Sequence, residues 1–128
     1  MRKQLIVLAT VALLGASSMV MAEDLSVDMD TIAENYGKAL KADNAADFTA
    51  ALAQMKSAAE DAKKDTPTKL DGKAPNSPEI KDYQHGLDTL IGQIDKAAEL
   101  AKAGKLDQAK TEAQSFKATR DENHKKFR

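Results

Sequence analysis

The sequence predicts an all-α protein folded as an antiparallel up-down-up-down four-helix bundle. Three observations predict it. Apolar residues recur at steps of three and four in four successive segments, proline, glycine and capping residues separate those segments, and no stretch alternates apolar and polar residues as a strand would. Two short links and one longer loop then turn each helix back along the one before it.

Ahead of the bundle, Arg2 and Lys3 precede an apolar run from Leu5 to Leu14, and Val20-Met21-Ala22 stands just before Glu23-Asp24. A basic start, a short apolar stretch and small residues before a polar one describe a secretory signal. The run is shorter than the roughly 20 residues a spanning helix needs. Residues 1–22 are therefore expected to be cleaved, which puts residues 23–128 in a bacterial periplasm.

The first helix is expected from Asp24 to about Ala42, with Leu25, Met29, Ile32, Tyr36, Ala39 and Leu40 along one face. Asp43 and Asn44 are capping candidates for a second helix, whose inward residues are Phe48, Leu52, Met55, Ala58, Ala59 and Ala62. Between Asp65 and Asn76, Pro67, Gly72 and Pro75 among polar residues break the pattern. Ser77-Pro78-Glu79 restarts it as N-cap, first-turn proline and first-turn acid. The third helix then carries Ile80, Tyr83, Leu87, Leu90, Ile91, Ile94, Ala98 and Ala101. Gly104 stops it, and Leu106 opens a fourth helix with Leu106, Ala109, Ala113, Phe116 and Phe127. Alanine is frequent on the inward faces and aromatic residues make up only 4% of the chain. So thin a core implies either helices packed close together or room kept for a planar ligand.

With the signal removed, 128 minus 22 leaves 106 residues, enough for one domain with a modest core. No cysteine is present, which excludes disulfides, a thiolate metal site and a haem attached through thioether links. The whole chain has 19 Lys plus Arg against 20 Asp plus Glu; without Arg2 and Lys3 the balance is 17 minus 20, or −3. Nothing in that charge asks for nucleic acid.

Met29 and His124 are the residues with chemistry to offer. In such a bundle the start of helix 1 and the end of helix 4 share one end, and at ~1.5 Å rise per residue the two side chains lie at similar depth. At ~100° per residue His124 follows the inward line of Ala113 and Arg120, while Met29 falls in line with Leu25, Ile32 and Tyr36. A thioether facing an imidazole is an iron-ligand pair, and in a chain without cysteine it points to one non-covalent haem. Taken singly, Met29 reads as a core methionine and His124 as a histidine favoured by the helix dipole. His85 lies opposite its helix's apolar stripe and is expected in solvent, whereas Met55 sits deeper as filler. Lys117, Arg120, Lys125, Lys126 and Arg128 suit a helix C-terminus, and Arg120 or Arg128 would also pair with haem propionates. Two other readings stay open: a copper binder using Met29 and His124, and a haem-free periplasmic helical binding or chaperone-like protein. A hydrolytic enzyme is disfavoured, because Asp28, Asp30, Glu34 and Glu60 follow polar helical faces and no catalytic set gathers in a pocket.

Asp24-Leu25 with Met29, Lys41-Ala42-Asp43-Asn44-Ala45-Ala46, Ser77-Pro78-Glu79, Gly92-Gln93-Ile94-Asp95, and Thr119-Arg120 with His124 and Arg128 together resemble the soluble cytochrome b562 family over residues 23–128. Cytochromes of that kind are up-down-up-down bundles, the topology expected here from periodicity alone. The resemblance implies Met29 and His124 as axial ligands and a pocket of Leu25, Ile32, Met55, Pro67, Tyr83, Leu87 and Arg120. It also implies a b-type haem that carries electrons to a redox protein; a monomer, free of the membrane once the signal is gone, is the default expectation. One departure stands out: the family's better-known member has an aromatic ring at the position of Leu87.

Overall fold

The computed structural model describes residues 25–127, which form an all-helical bundle. The expected cleavage after residue 22, the Asp24 start and Arg128 lie outside the described residues. Helix α1 runs Leu25–Lys41 and α2 Ala45–Ala62; a 3-10 turn, Thr68–Leu70, precedes α3 at Pro78–Lys102; and α4, Leu106–Ala113, is followed by α5, Ser115–Phe127. Among these residues no helix is long and apolar enough to cross a membrane.

Local chemistry sets the boundaries. The Asn44 side chain accepts from the Asp47 N–H at 2.8 Å, and the Ser77 hydroxyl accepts from the Ile80 N–H at 3.3 Å, each satisfying a donor that a helix start leaves without a partner. Pro78 follows at the first position of α3, where its missing N–H costs nothing. At the other end of α3, Gly104 adopts φ +83° while the Lys105 N–H reaches back to the Leu100 carbonyl at 2.9 Å, a left-handed stop that favours glycine.

Cross-helix contacts give the topology. Lys56 pairs with Asp95 at 2.9 Å and Lys63 with Asp88 at 2.6 Å, so α3 descends as α2 climbs; Lys96 with Glu112 and Lys126 with Asp82 repeat that order between α3 and the fourth helix. Helix α1 packs on α2, α2 on α3, and α3 on α4 and α5, while the seam between α1 and the fourth helix is the loosest of the four. Around the α2 start, Phe48, Leu52 and Ile94 fill the core together with Ala39, Ala51, Ala97, Ala101, Ala109 and Ala113. Each large apolar side chain buried there contributes about 1.5–3 kcal/mol. The Lys110 ammonium donates to the Ala42 carbonyl at 2.6 Å, tying the end of α1 to α4.

Four details differ from the sequence expectations. The fourth helix is interrupted at Gln114, where the Ser115 hydroxyl bonds to the Glu112 carbonyl and competes with the helical ladder. Leu40, expected on the inward face of α1, is 37% exposed because Ala39 takes the core position beside it. Leu70, inside the loop read as polar, is buried by the 3-10 turn and extends the core. Asp28, placed on a polar face, is 3% exposed, and its carboxylate lies close enough to Tyr83 to act on that phenol.

Candidate functional site

At the end of the bundle where α1 starts and α5 finishes, the loose seam widens into a cavity of about 800 Å³. Met29 projects into it from α1 and His124 from α5, both half-buried. Leu25 and Ile32 line the α1 wall, Met55 comes from α2, Tyr83 and Leu87 from α3, and Arg120 from α5, while Pro67 closes over it from the loop. The structure therefore gathers around one cavity every expected site residue that it describes; Arg128 is not among the described residues. His85 is exposed and away from it, and Met55 is 1% exposed at its floor.

The sequence reading missed much of the cavity's aromatic and polar frame. Tyr36 of α1 and Phe116 of α5 meet with ring centroids 5.8 Å apart, closing the seam below the two candidate ligands. Phe127 packs against Tyr83 edge-on at 5.5 Å. Four of the chain's five tyrosines and phenylalanines thus line the cavity, and the fifth, Phe48, fills the opposite end. Where aromatic residues are this scarce, their concentration at one level of the helices was the available signal. The polar members, Thr119 and Asn123, carried no such mark: a threonine and an asparagine on a charged helix read as surface.

Hydrogen bonds hold the frame. The Tyr83 hydroxyl donates to the Ala62 carbonyl at 2.6 Å, joining α3 to the end of α2. Burial pushes the Tyr83 phenol well above its ordinary range, and the carboxylates of Asp65 and Asp28 add to the shift. The Thr119 hydroxyl donates to Gln93 Oε1 at 2.9 Å, and the Asn123 amide to the Thr119 carbonyl at 2.8 Å. At the rim, Arg120 donates through Nε and Nη2 to Asp121 Oδ1 at 3.1 and 3.0 Å. Its side chain is 37% exposed, so that pair holds it weakly and leaves it able to turn to an anionic group.

The donor set suits a haem. A soft thioether and an imidazole enter one apolar, aromatic-walled cavity from opposite sides of its seam, an arginine and Lys69 stand at its edge, and the volume lies in the range of a small-molecule site. Among the described residues no three His, Cys, Asp or Glu side chains gather to hold a bare metal ion.

Comparison with known proteins agrees with that chemistry. The family model described as cytochrome b562 matches residues 24–128. The chain is 56% identical over 128 residues, the whole of both chains, to the "probable soluble cytochrome b562 2" of Yersinia pestis. To the "probable soluble cytochrome b562 1" of the same organism it is 38% identical, again over the whole of both. It is also 40% identical to an uncharacterized Pasteurella multocida protein over 53 residues, 41% of this chain and 43% of the relative.

Proposed function

The chain belongs to the cytochrome b562 family, and from that premise we propose that it is a periplasmic electron-transfer protein holding one non-covalent b-type haem between Met29 and His124. The observation that carries this reading is the convergence of those two side chains, from the first and last helices, on one apolar cavity. When bound there, the haem supplies a one-electron couple. Met29 and His124 would hold the iron between them, leaving the chain no open site there for oxygen or a substrate. The Met29 sulfur, a weak donor to ferric iron, would raise the potential relative to two histidines. Leu25, Ile32, Met55, Leu87 and the aromatic frame exclude water, and Pro67 helps to close the loop side. Arg120 or Arg128 would pair with the propionates. Export through the signal in residues 1–22 and action as a monomer toward a redox protein complete the proposal.

Adding haem to the purified chain and recording the visible spectrum, oxidised and then dithionite-reduced, tests it. We expect sharp α and β bands on reduction at one haem per chain. Met29→Ala is expected to retain haem but turn high-spin, and His124→Ala to lose at least about tenfold in affinity as its bond to iron goes. Absence of a specific Soret shift would overturn the haem reading. Edman sequencing of the exported protein is expected to begin at Glu23.

A further inference from the structure

Gly86 lies in the interior of α3, buried, with an ordinary helical backbone: among the described residues only Gly72 and Gly104 have positive φ. Glycine is the poorest helix former after proline, so the backbone gives no reason for it here. Its surroundings do. A Cβ built on Gly86 would lie 2.6 Å from Asn123 Cγ and 2.9 Å from Asn123 Nδ2, closer than side chains approach, whereas at Gly92 in the same helix a Cβ would meet nothing within 4 Å. Asn123 of α5 thus sits in a notch that only glycine leaves open, fixed there by its own bond to the Thr119 carbonyl.

Asn123 is also the residue before His124, and the notch joins other contacts that dock α5 on α3, among them Lys126–Asp82, Phe127–Tyr83 and Thr119–Gln93. Of these, the Lys126–Asp82 pair is 3.6 Å long and exposed, worth little, and the edge-on contact of Phe127 with Tyr83 tolerates sliding. The Thr119 hydroxyl reaches Gln93 through a flexible side chain. The notch constrains position by shape, since a short side chain on one helix must enter a gap in the other. We infer that Asn123 and Gly86 form an interlock that sets how His124 enters the cavity, making both of them positioning residues for the iron ligand. This rests on the haem reading above.

The consequence of filling the notch is specific. With a methyl group at position 86, the Asn123 side chain must turn out and lose its bond to Thr119, or the last turn of α5 must move off α3 and carry His124 with it. Emptying the opposing position relieves the clash but gives up the interlock.

The experiment is a double-mutant cycle of Gly86→Ala and Asn123→Ala, with Gly92→Ala as the control for added helix propensity. Each variant is titrated with haem, its spectrum is read at saturation, and its haem-free melt confirms folding. We expect Gly86→Ala to weaken haem binding roughly tenfold and to raise the high-spin fraction at saturation. Asn123→Ala, which removes the other half of the interlock, is expected to weaken haem binding and raise the high-spin fraction as well, with the double variant matching it rather than adding a second penalty. In the haem-free melts, Gly86→Ala is expected to fall below Gly92→Ala and to recover when Asn123→Ala is added. A loss of stability alone would lower the melt and leave the saturated spectrum unchanged, and that outcome would overturn the inference. So would a penalty at position 86 that adds to that of Asn123→Ala in the double variant. If the parent binds haem normally and Gly86→Ala matches it, the interlock falls and the cytochrome reading stands; if the parent binds no haem, both fall.

Discussion

Tyr83 does two jobs with one ring: its face walls the cavity and its hydroxyl joins α3 to the carbonyl of Ala62. That bond requires the neutral phenol, and burial raises the folded-state value above the ordinary 10.0. In the unfolded chain the phenol ionises near 10.0, so the stability it contributes is complete below that pH and drains away as pH rises above it. Tyr83→Phe is expected to be less stable at neutral pH by about 1 kcal/mol, the net worth of one hydrogen bond. Above about pH 10 its loss of stability is expected to be shallower than the parent's. Urea unfolding at neutral pH and again above the ordinary phenol range measures both; equal slopes against pH in the two proteins would show that Tyr83 does not titrate this way. At this scale the sequence was legible wherever periodicity speaks. Met29, His124 and their apolar neighbours stand on inward lines that helical spacing reveals. Asp28, Asn35 and Thr119 were not legible, because a polar residue enters a buried place through contacts with other helices that spacing along its own helix does not record.

Among the elements, the starts of α2 and α3 were written in Asn44 and Ser77-Pro78, and the end of α3 in Gly104. The break at Gln114 was not, since Gln114 and Ser115 are ordinary helix residues and the interruption comes from a single hydroxyl bonding backward. It leaves α5 as a short helix of 13 residues, low in apolar content and joined to α1 across the loosest seam. Helices that short owe their persistence to packing rather than to propensity. In the haem-free protein, amides of α5 are therefore expected to exchange with deuterium faster than those of α2 and α3, and to slow once His124 is tethered by haem. Uniform protection across the helices before and after haem addition would contradict this.

For the whole molecule, the four antiparallel helices follow from the amphipathic pattern, but the unequal seams do not, because sequence periodicity tells which face is buried and not how tightly neighbours meet. Here the looseness falls between the first and last helices, where the chain brings its two candidate ligands together. Haem that binds only the folded chain stabilises it by mass action, about 2.7 kcal/mol at a hundredfold excess over Kd. That corresponds to a rise in melting temperature on the order of 10 °C for a domain of this size. Calorimetry with and without stoichiometric haem measures it, and coincident transitions would mean that the cavity stays empty of haem.

The alanines at the closed end bear on how this chain can change its sequence over time. Ala39, Ala97, Ala109 and Ala113 have essentially no exposed surface, and each stands where two helices touch. A larger side chain at any of them would force backbones apart, while glycine would loosen the helix it sits in. Ala59 and Ala62, near the cavity, are buried as completely, so the constraint runs the length of the bundle and relaxes only at the cavity wall, where a side chain such as Leu87 borders open space. The smallest residues thus fix how closely the helices meet, while the cavity wall is where a side chain is expected to change size without unmaking the bundle.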